Sequence, residues 1–391
     1  MKRMEPVSSI RWAMAIGAAV LAVAPIAAND ETRASMQDVF GAMRVLLPLS
    51  LSAERFEDPA NRLEIDAALA RLESSSGRLA AHGRGENAAF EMLSGSLAAD
   101  ARDLHSRWTR GHRDEARFIV QQLTETCVAC HSRLPSDRDS PLSARFASEE
   151  FVRSLPLRER AKLEYATRQF ESALESYEAM LASTEITPST LDLGGYLDEY
   201  LEICIRVRTD PARGERALQG FLRRPGLTPA LRAEVERWIG SLRELASQPR
   251  RASTLDEARA LVDRAEDRKR FADEREALVL YLEASSVLYR ALEGSLPERR
   301  DRARAYYLLG LVDTRIGRAF WLSQAESLLE ASIRLAPETK TAAKAYALLE
   351  DFLIAGFTGS AGTQVPPDIQ ELLDELETLV RESRTQSPAS S

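Results

Sequence analysis

The chain has 391 residues, with 52 lysines and arginines against 60 aspartates and glutamates, and a formal net charge of −8. At ~150 residues per domain, this length fits two or three domains with buried cores. Aromatic residues make up only 6%, glycine and proline are sparse, and the remaining composition favours helix. Collagen-like, disulfide-stapled and multi-pass membrane proteins are therefore excluded, and the acidic charge argues against nucleic acid as a partner. We expect an all-α protein.

The first 28 residues have the pattern of an export signal. Lys2, Arg3 and Arg11 precede a stretch without charges from Ala13 to Ala28, and the polar residues Asn29 and Asp30 follow. We expect segment 1–28 to be removed and the mature protein to be periplasmic. Association with a membrane would follow only if the signal remained uncleaved as an anchor.

Between residues 33 and 134, apolar residues recur at helical spacing in four stretches. In the first stretch, Met36, Phe40, Met43 and Leu47 form one apolar stripe. The predicted helices are Arg33–Ser50, Ala60–Ala81, Asn87–Thr109 and Arg113–His131. Four helices of similar length with short connections predict an up-down-up-down four-helix bundle.

The second half of the chain is predicted to be a separate helical domain. Prolines and serines in segment 135–156 indicate a linker, helical patterns resume over 157–382, and the polar segment 383–391 is expected to be a disordered tail.

One stretch of this second domain resembles a tetratricopeptide repeat. Tyr306-x2-Leu309-Gly310 is followed by Ala325-x3-Leu329 and by Pro337, although Asp313 stands where the repeat usually has tyrosine. The glycine of such a repeat lies where two helices cross closely. An array of α-hairpins provides a docking surface without specifying its ligand.

The strongest chemical signal is Cys127-Val128-Ala129-Cys130-His131, the attachment signature of a c-type haem. On a helix, residues i, i+3 and i+4 share a face, so both thiols and the imidazole point to the same side. Cys127 and Cys130 can then bond to the two vinyl groups of one haem c, and His131 can supply an axial nitrogen to the iron.

Two other classes of site use such cysteines: a redox or structural disulfide, and a zinc site. A thioredoxin-like pair, or a simple disulfide, also uses Cys-x-x-Cys, but the redox motif belongs at a helix N-terminus in a βαβ setting. A zinc site needs four ligands, and Cys204 is the only other cysteine. The haem interpretation is favoured over both. We see no nucleophile elbow, phosphate loop or second haem motif, and therefore expect no enzyme.

A Cys-x-x-Cys-His at the end of the fourth helix of an exported bundle resembles the cytochrome c-prime family. The resemblance covers about residues 33–134. It implies that Cys127 and Cys130 attach the haem and that His131 is the axial ligand. Family members usually have an aromatic residue and an arginine shortly after the histidine, whereas Ser132-Arg133-Leu134-Pro135 follows here.

The same resemblance addresses the sixth position of the iron. It places Met36 of the first helix at the distal side, with Met43 as a second candidate and an open site as the third. A methionine ligand would favour electron transfer, whereas an open iron would bind a small gas such as nitric oxide or carbon monoxide. Pairing through the first helix is common in the family and implies a homodimer.

Together these patterns predict an exported monohaem c-type cytochrome that carries single electrons. The helical array would dock a periplasmic redox partner or an envelope protein complex. Two alternatives remain at this stage: a gas-binding sensor with five-coordinate haem, and an envelope scaffold in which the haem is structural.

Overall fold

The computed structural model describes residues 30–84, 88–133, 150–248, 253–268, 275–293, 296–316, 324–360 and 362–386. This part of the chain is all-α, as predicted; its only strands are the two-residue pair β1 (Thr358–Gly359) and β2 (Gly362–Thr363). The export-signal segment 1–28 and most of the predicted linker lie outside the described residues. No described helix is both long and apolar enough to cross a membrane.

The helices α1 to α5 form the N-terminal unit, residues 30–133. They are α1 (Asp30–Ser50), α2 (Ala53–Glu57), α3 (Arg62–Gly83), α4 (Ala88–Thr109) and α5 (Arg113–Arg133). The four long helices match the predicted ones to within a few residues, because their apolar stripes are regular. The short helix α2 was not predicted; its N-cap is Ser52, whose hydroxyl accepts from the amide of Arg55.

The N-terminal unit has one core, closed at one end by aromatic residues. Phe56 and Trp108 are buried and meet edge to face, with ring centroids 5.1 Å apart. The indole of Trp108 donates to Asp66, and the guanidinium of Arg113 stacks 3.5 Å above its ring. This end holds α2, the start of α3 and the turn between α4 and α5. The far end holds the last turn of α5.

Polar contacts fix the register of these helices. Arg78 of α3 pairs with Asp38 of α1 at 2.6 Å. The carbonyl of Ser50, the last residue of α1, accepts hydrogen bonds from Gln121 (2.9 Å) and Arg117 (3.4 Å) of α5. Helices α1 and α5 are therefore antiparallel, and the first half of α1 lies beside the last turns of α5.

The C-terminal unit, residues 150–386, consists of shorter helices that pack mostly as sequential antiparallel pairs. They are α6 (Glu150–Ser154), α7 (Leu157–Ala166), α8 (Phe170–Ala182), α9 (Pro188–Leu193), α10 (Tyr196–Glu202) with a π-helical extension (Ile203–Val207), α11 (Pro211–Leu222), α12 (Pro229–Ser247), α13 (Leu255–Arg268), α14 (Leu278–Glu293), α15 (Arg299–Ile316), α16 (Ala325–Leu335), α17 (Lys340–Gly356) and α18 (Pro367–Gln386).

Three of these helices begin with the same local signal. Thr187, Asp210 and Thr228 each precede a proline and accept a hydrogen bond from the amide three residues on. Proline is suited to the first helical position because its missing N–H would have no partner there, and its φ angle is already helical. The start of each helix is thus determined locally.

Helices α15 and α16 cross at a glycine, as the sequence predicted. A Cβ on Gly310 would stand 2.7 Å from Cγ of Leu329, so only glycine fits without a shift. Asp313 is buried one turn further along α15, and its carboxylate accepts from the amide of Gln324 at 2.5 Å. Asp313 therefore fixes the start of α16, which accounts for an aspartate at this position.

Candidate functional site

The haem motif lies in the last two turns of α5, on the stripe that faces the core. Ala116, Val120 and Leu123 are buried in the N-terminal core, and Cys127 and Cys130 continue their spacing along the helix. Both cysteines are partly exposed and are not joined in a disulfide. The two thiols therefore continue the apolar spacing of α5 beyond the N-terminal core, and Cys127 packs against the core of the C-terminal unit.

The imidazole of His131 is held by the C-terminal unit. Its Nδ1 lies 2.8 Å from the carbonyl oxygen of Ala166, the last residue of α7. A backbone carbonyl only accepts hydrogen bonds, so Nδ1 carries the proton and Nε2 keeps its lone pair. Burial, together with the nearby cation of Arg168, lowers the pKa of His131 to about 4, against a raising contribution from the Ala166 bond. The ring is thus a neutral nitrogen donor at neutral pH.

The carbonyl of Ala166 is aimed by a tight turn at the end of α7. Arg168 has a left-handed backbone with φ of 62°, and its amide donates to the carbonyl of Tyr165 at 3.0 Å. The amide of Gln169 donates to Glu164 at 2.7 Å. A left-handed residue just after a helix is a common way to satisfy its last carbonyls. Here the turn ends α7 and leads the chain into α8.

The thiol of Cys127 does not have the character of a redox nucleophile. Burial is the main cause that raises its pKa to about 12, with repulsion from Cys130 second. Reactive dithiol motifs lower the pKa of the attacking cysteine, so this environment gives no support to a thioredoxin-like pair. Cys204 is buried in the C-terminal unit, and burial likewise raises its pKa to about 12. Among the described residues, no cluster of three or more His, Cys, Asp and Glu side chains is arranged to hold a metal ion.

The chemistry of the donor set fits a covalently attached haem. Cys127 and Cys130 present two thiols on one helix face, and His131 presents a neutral nitrogen one position later with its other nitrogen already bonded. A ligating histidine in proteins normally donates its second N–H to a carbonyl or carboxylate, which fixes the tautomer and orients the ring. The bond to Ala166 has this form.

The two units share a buried surface around the motif. Val128 and Cys127 pack into the core of the C-terminal unit, where α5 contacts α7, the π-helical segment and α14. In the other direction, Val152 and Leu163 of the C-terminal unit are buried in the N-terminal core. Val152 lies within the segment that the sequence predicted as a linker. The haem motif is therefore at the junction of the two units and not on a separate domain.

A buried polar cluster crosses this junction. Lys162 of α7 pairs with Glu125 of α5 and lies 3.5 Å from Glu199 of α10. The hydroxyl of Tyr177 donates to Glu199 at 2.6 Å. Burial is the main cause that raises the pKa of Glu199 to about 7, although the Lys162 cation and the Tyr177 hydroxyl act in the opposite direction. The cluster therefore places partly buried charges against α5, with Glu125 two residues before Cys127.

The methionines predicted for the distal side lie on the first half of α1. Met36 and Met43 are partly buried and pack against the N-terminal core. Ser50, at the end of α1, contacts Arg117 and Gln121 near the start of α5, so the residues of α1 that precede Ser50 lie toward the end of α5. Met36 therefore lies toward the end of the N-terminal unit that holds His131, and Met43 lies nearer its middle.

Two of the remaining histidines lie elsewhere on the N-terminal unit. His105 is only a quarter exposed, and its Nδ1 is bonded to Glu73 at 2.6 Å. His112 is exposed and lies 3.5 Å from Glu115. Neither contact involves the motif.

Sequence reasoning identified the three motif residues but not the groups that orient them. The carbonyl of Ala166 has no sequence signal because every residue has one. The turn at Arg168 lacks the glycine or asparagine that would have indicated a left-handed residue. Lys162 and Glu199 belong to no sequence motif.

Comparison with known proteins adds no relative: no protein-family model, no curated protein and no solved structure matches this chain.

Proposed function

We propose that this protein is an exported monohaem c-type cytochrome that exchanges single electrons with a protein docked on its C-terminal unit. The observation that carries the proposal is the arrangement of Cys127, Cys130 and His131 on the core-facing side of α5. The imidazole Nδ1 is committed to Ala166, so Nε2 is the nitrogen left to bind a metal.

Each residue has a defined task in this proposal. The thiols of Cys127 and Cys130 form thioether bonds and keep the cofactor from dissociating. His131 supplies the axial nitrogen, and the hydrogen bond to Ala166 orients its ring and increases its basicity as a ligand. Arg168 places a positive charge close enough to lower the pKa of the imidazole. A haem bound here supplies a reversible one-electron couple.

The finer architecture that we propose is a cytochrome c-prime-like four-helix bundle joined to a tetratricopeptide-like array. The antiparallel register of α1 and α5 and the common core of the long helices support the bundle. The close crossing of Gly310 and Leu329 supports a repeat of that type. Packing of the C-terminal unit against the haem helix would be an addition to the family pattern, which comprises the bundle alone.

We further propose Met36 as the sixth ligand; support comes from the antiparallel run of α1 and α5, which puts the Met36 half of α1 toward the end of the unit that holds His131. A methionine ligand favours electron transfer over gas binding. Export to the periplasm remains a proposal that rests on segment 1–28.

The test is to produce the full chain in a host with the cytochrome c maturation machinery and to extract it with acidic acetone. We expect haem to stay with the protein, and the reduced protein to show a low-spin spectrum that carbon monoxide does not change. Cys127→Ser with Cys130→Ser should abolish retention, whereas the matched control Cys204→Ser should retain haem. Extractable haem, or none, would overturn the proposal, and a shift with carbon monoxide would favour the gas-binding alternative.

A further inference from the structure

A groove in the C-terminal unit carries an unusual local charge. It lies between α8 and α11 and encloses about 550 Å³. Its lining contains the cations of Arg213, Arg216, Arg223 and Arg224, one carboxylate from Glu178, and apolar residues that include Leu181 and Phe221. Four arginines around one groove are unexpected in a chain with a net charge of −8.

One of the four arginines is neutralised within the fold. Arg213 pairs with Glu178 and with Glu171, each at 2.6 Å. Glu178 also accepts from the hydroxyl of Tyr200 at 3.0 Å, so this carboxylate is fully engaged. Arg213 therefore contributes shape to the groove and little net charge.

The other three arginines have no carboxylate partner among the described residues. Arg224 donates to the carbonyls of Leu181 and Ile186 and is half-buried, and burial lowers its pKa. Arg216 and Arg223 are exposed. Because Arg224 is held only by carbonyl oxygens, which carry no net charge, its positive charge can still pair with an anion.

Gly220 lies on the wall of the groove beside one of these guanidinium groups. A Cβ at this position would stand at an ordinary contact distance of 3.8 Å from Nη2 of Arg223. The arginine thus reaches over the glycine along the wall of the groove. Its cationic side chain and the apolar lining near Phe221 are available to the same ligand.

We propose that the groove between α8 and α11 docks an acidic segment of a partner protein, with Arg216 and Arg223 pairing its carboxylates. The groove is much larger than an inorganic anion, and its apolar lining suits the side chains between the carboxylates of a peptide. This inference deepens the docking part of the proposed function and does not depend on whether haem is attached.

The test is fluorescence anisotropy with a short labelled peptide of alternating glutamate and leucine, added to the full chain at low salt. We expect saturable binding that weakens as salt is raised. The double variant Arg216→Glu with Arg223→Glu should bind roughly tenfold or more weakly, since it reverses two charges. The matched control is Arg381→Glu with Arg384→Glu, which makes the same change of charge on exposed residues of α18.

Equal losses in both double variants would show attraction by net charge alone and would overturn the proposal. Equal binding of a lysine–leucine peptide, or displacement of the acidic peptide by equimolar inorganic phosphate, would do the same. Far-ultraviolet circular dichroism confirms that the variants fold. The titration is repeated on protein made without the maturation machinery, so that the two proposals are tested separately. The absorption spectrum reports whether haem is attached, and the anisotropy reports whether the groove binds the peptide.

Discussion

The imidazole Nδ1 of His131 lies 2.8 Å from the carbonyl oxygen of Ala166, and the two residues belong to different units of the protein. The histidine ends the helix that carries both cysteines, and the carbonyl ends the first long helix of the C-terminal unit. A movement between the two units would therefore change the position of the His131 ring, the proposed iron ligand. Under the proposed function, docking on the C-terminal unit and electron exchange at the haem would then be physically connected.

The turn at Arg168 provides a test of this connection. Proline at this position cannot adopt φ of 62° and has no amide to donate to Tyr165, so Arg168→Pro should displace the carbonyl of Ala166. Losing ~1 kcal/mol of hydrogen bonding to the ligand makes it less basic and should raise the reduction potential by roughly 40 mV. Redox titration of the holoprotein measures this shift.

The matched variant Arg168→Gly keeps the left-handed backbone and removes the side chain, with its cation and its contact over the Phe170 ring. Since a nearby positive charge favours the reduced haem, its loss should lower the potential. The two variants are thus expected to differ in sign. Shifts of the same sign and size would mean that the turn does not control the histidine.

The assignment of the distal ligand can be tested with two alanine substitutions on α1. Met36→Ala should convert the reduced protein from low-spin to high-spin and allow carbon monoxide to bind. Met43→Ala, on the same helix and also partly buried, should leave the spectrum unchanged. The reverse result would assign the ligand to Met43, and carbon monoxide binding by the unaltered protein would rule out both.

The sequence predicted the local features of the site and missed the long-range ones. The four long helices and the motif were visible because helical spacing is a property of neighbouring residues. The contact between Val128 and the C-terminal core was not, because Val128 lies off the apolar stripe of α5. Val152 falls in a segment whose prolines and serines indicated a linker, yet it is buried against the N-terminal core. The tertiary packing that joins the units depends on residues far apart in the chain.

The buried carboxyl of Glu199 should make stability depend on pH. Its pKa is about 7 in the folded protein against an ordinary value of 4.5, so the folded state binds a proton more tightly than the unfolded state. Stability from this group is fully present below about pH 4.5 and is lost as the pH rises to 7, by ~3 kcal/mol. Urea unfolding at a series of pH values measures the loss.

Glu199→Gln should remove most of this fall in stability, since glutamine stays neutral and Lys162 keeps Glu125 as a partner. Glu185→Gln, an exposed glutamate of the same unit, serves as the control and should follow the unaltered protein. An unchanged pH dependence in Glu199→Gln would show that another group titrates in this range.

The crossing of α15 and α16 predicts opposite effects for two substitutions of the same type. A Cβ on Gly310 would stand 2.7 Å from Cγ of Leu329, which is itself fully buried, so Gly310→Ala forces a shift in a packed core. Overpacking of this kind costs ~1–3 kcal/mol, which exceeds the ~1 kcal/mol that alanine gains in helix propensity. Gly240 of α12 is exposed and would have no atom within 4 Å of its Cβ, so Gly240→Ala should stabilise the protein by up to ~1 kcal/mol. Urea midpoints of the two variants measure the difference, and stabilisation by Gly310→Ala would mean that the two helices are further apart than the structure shows.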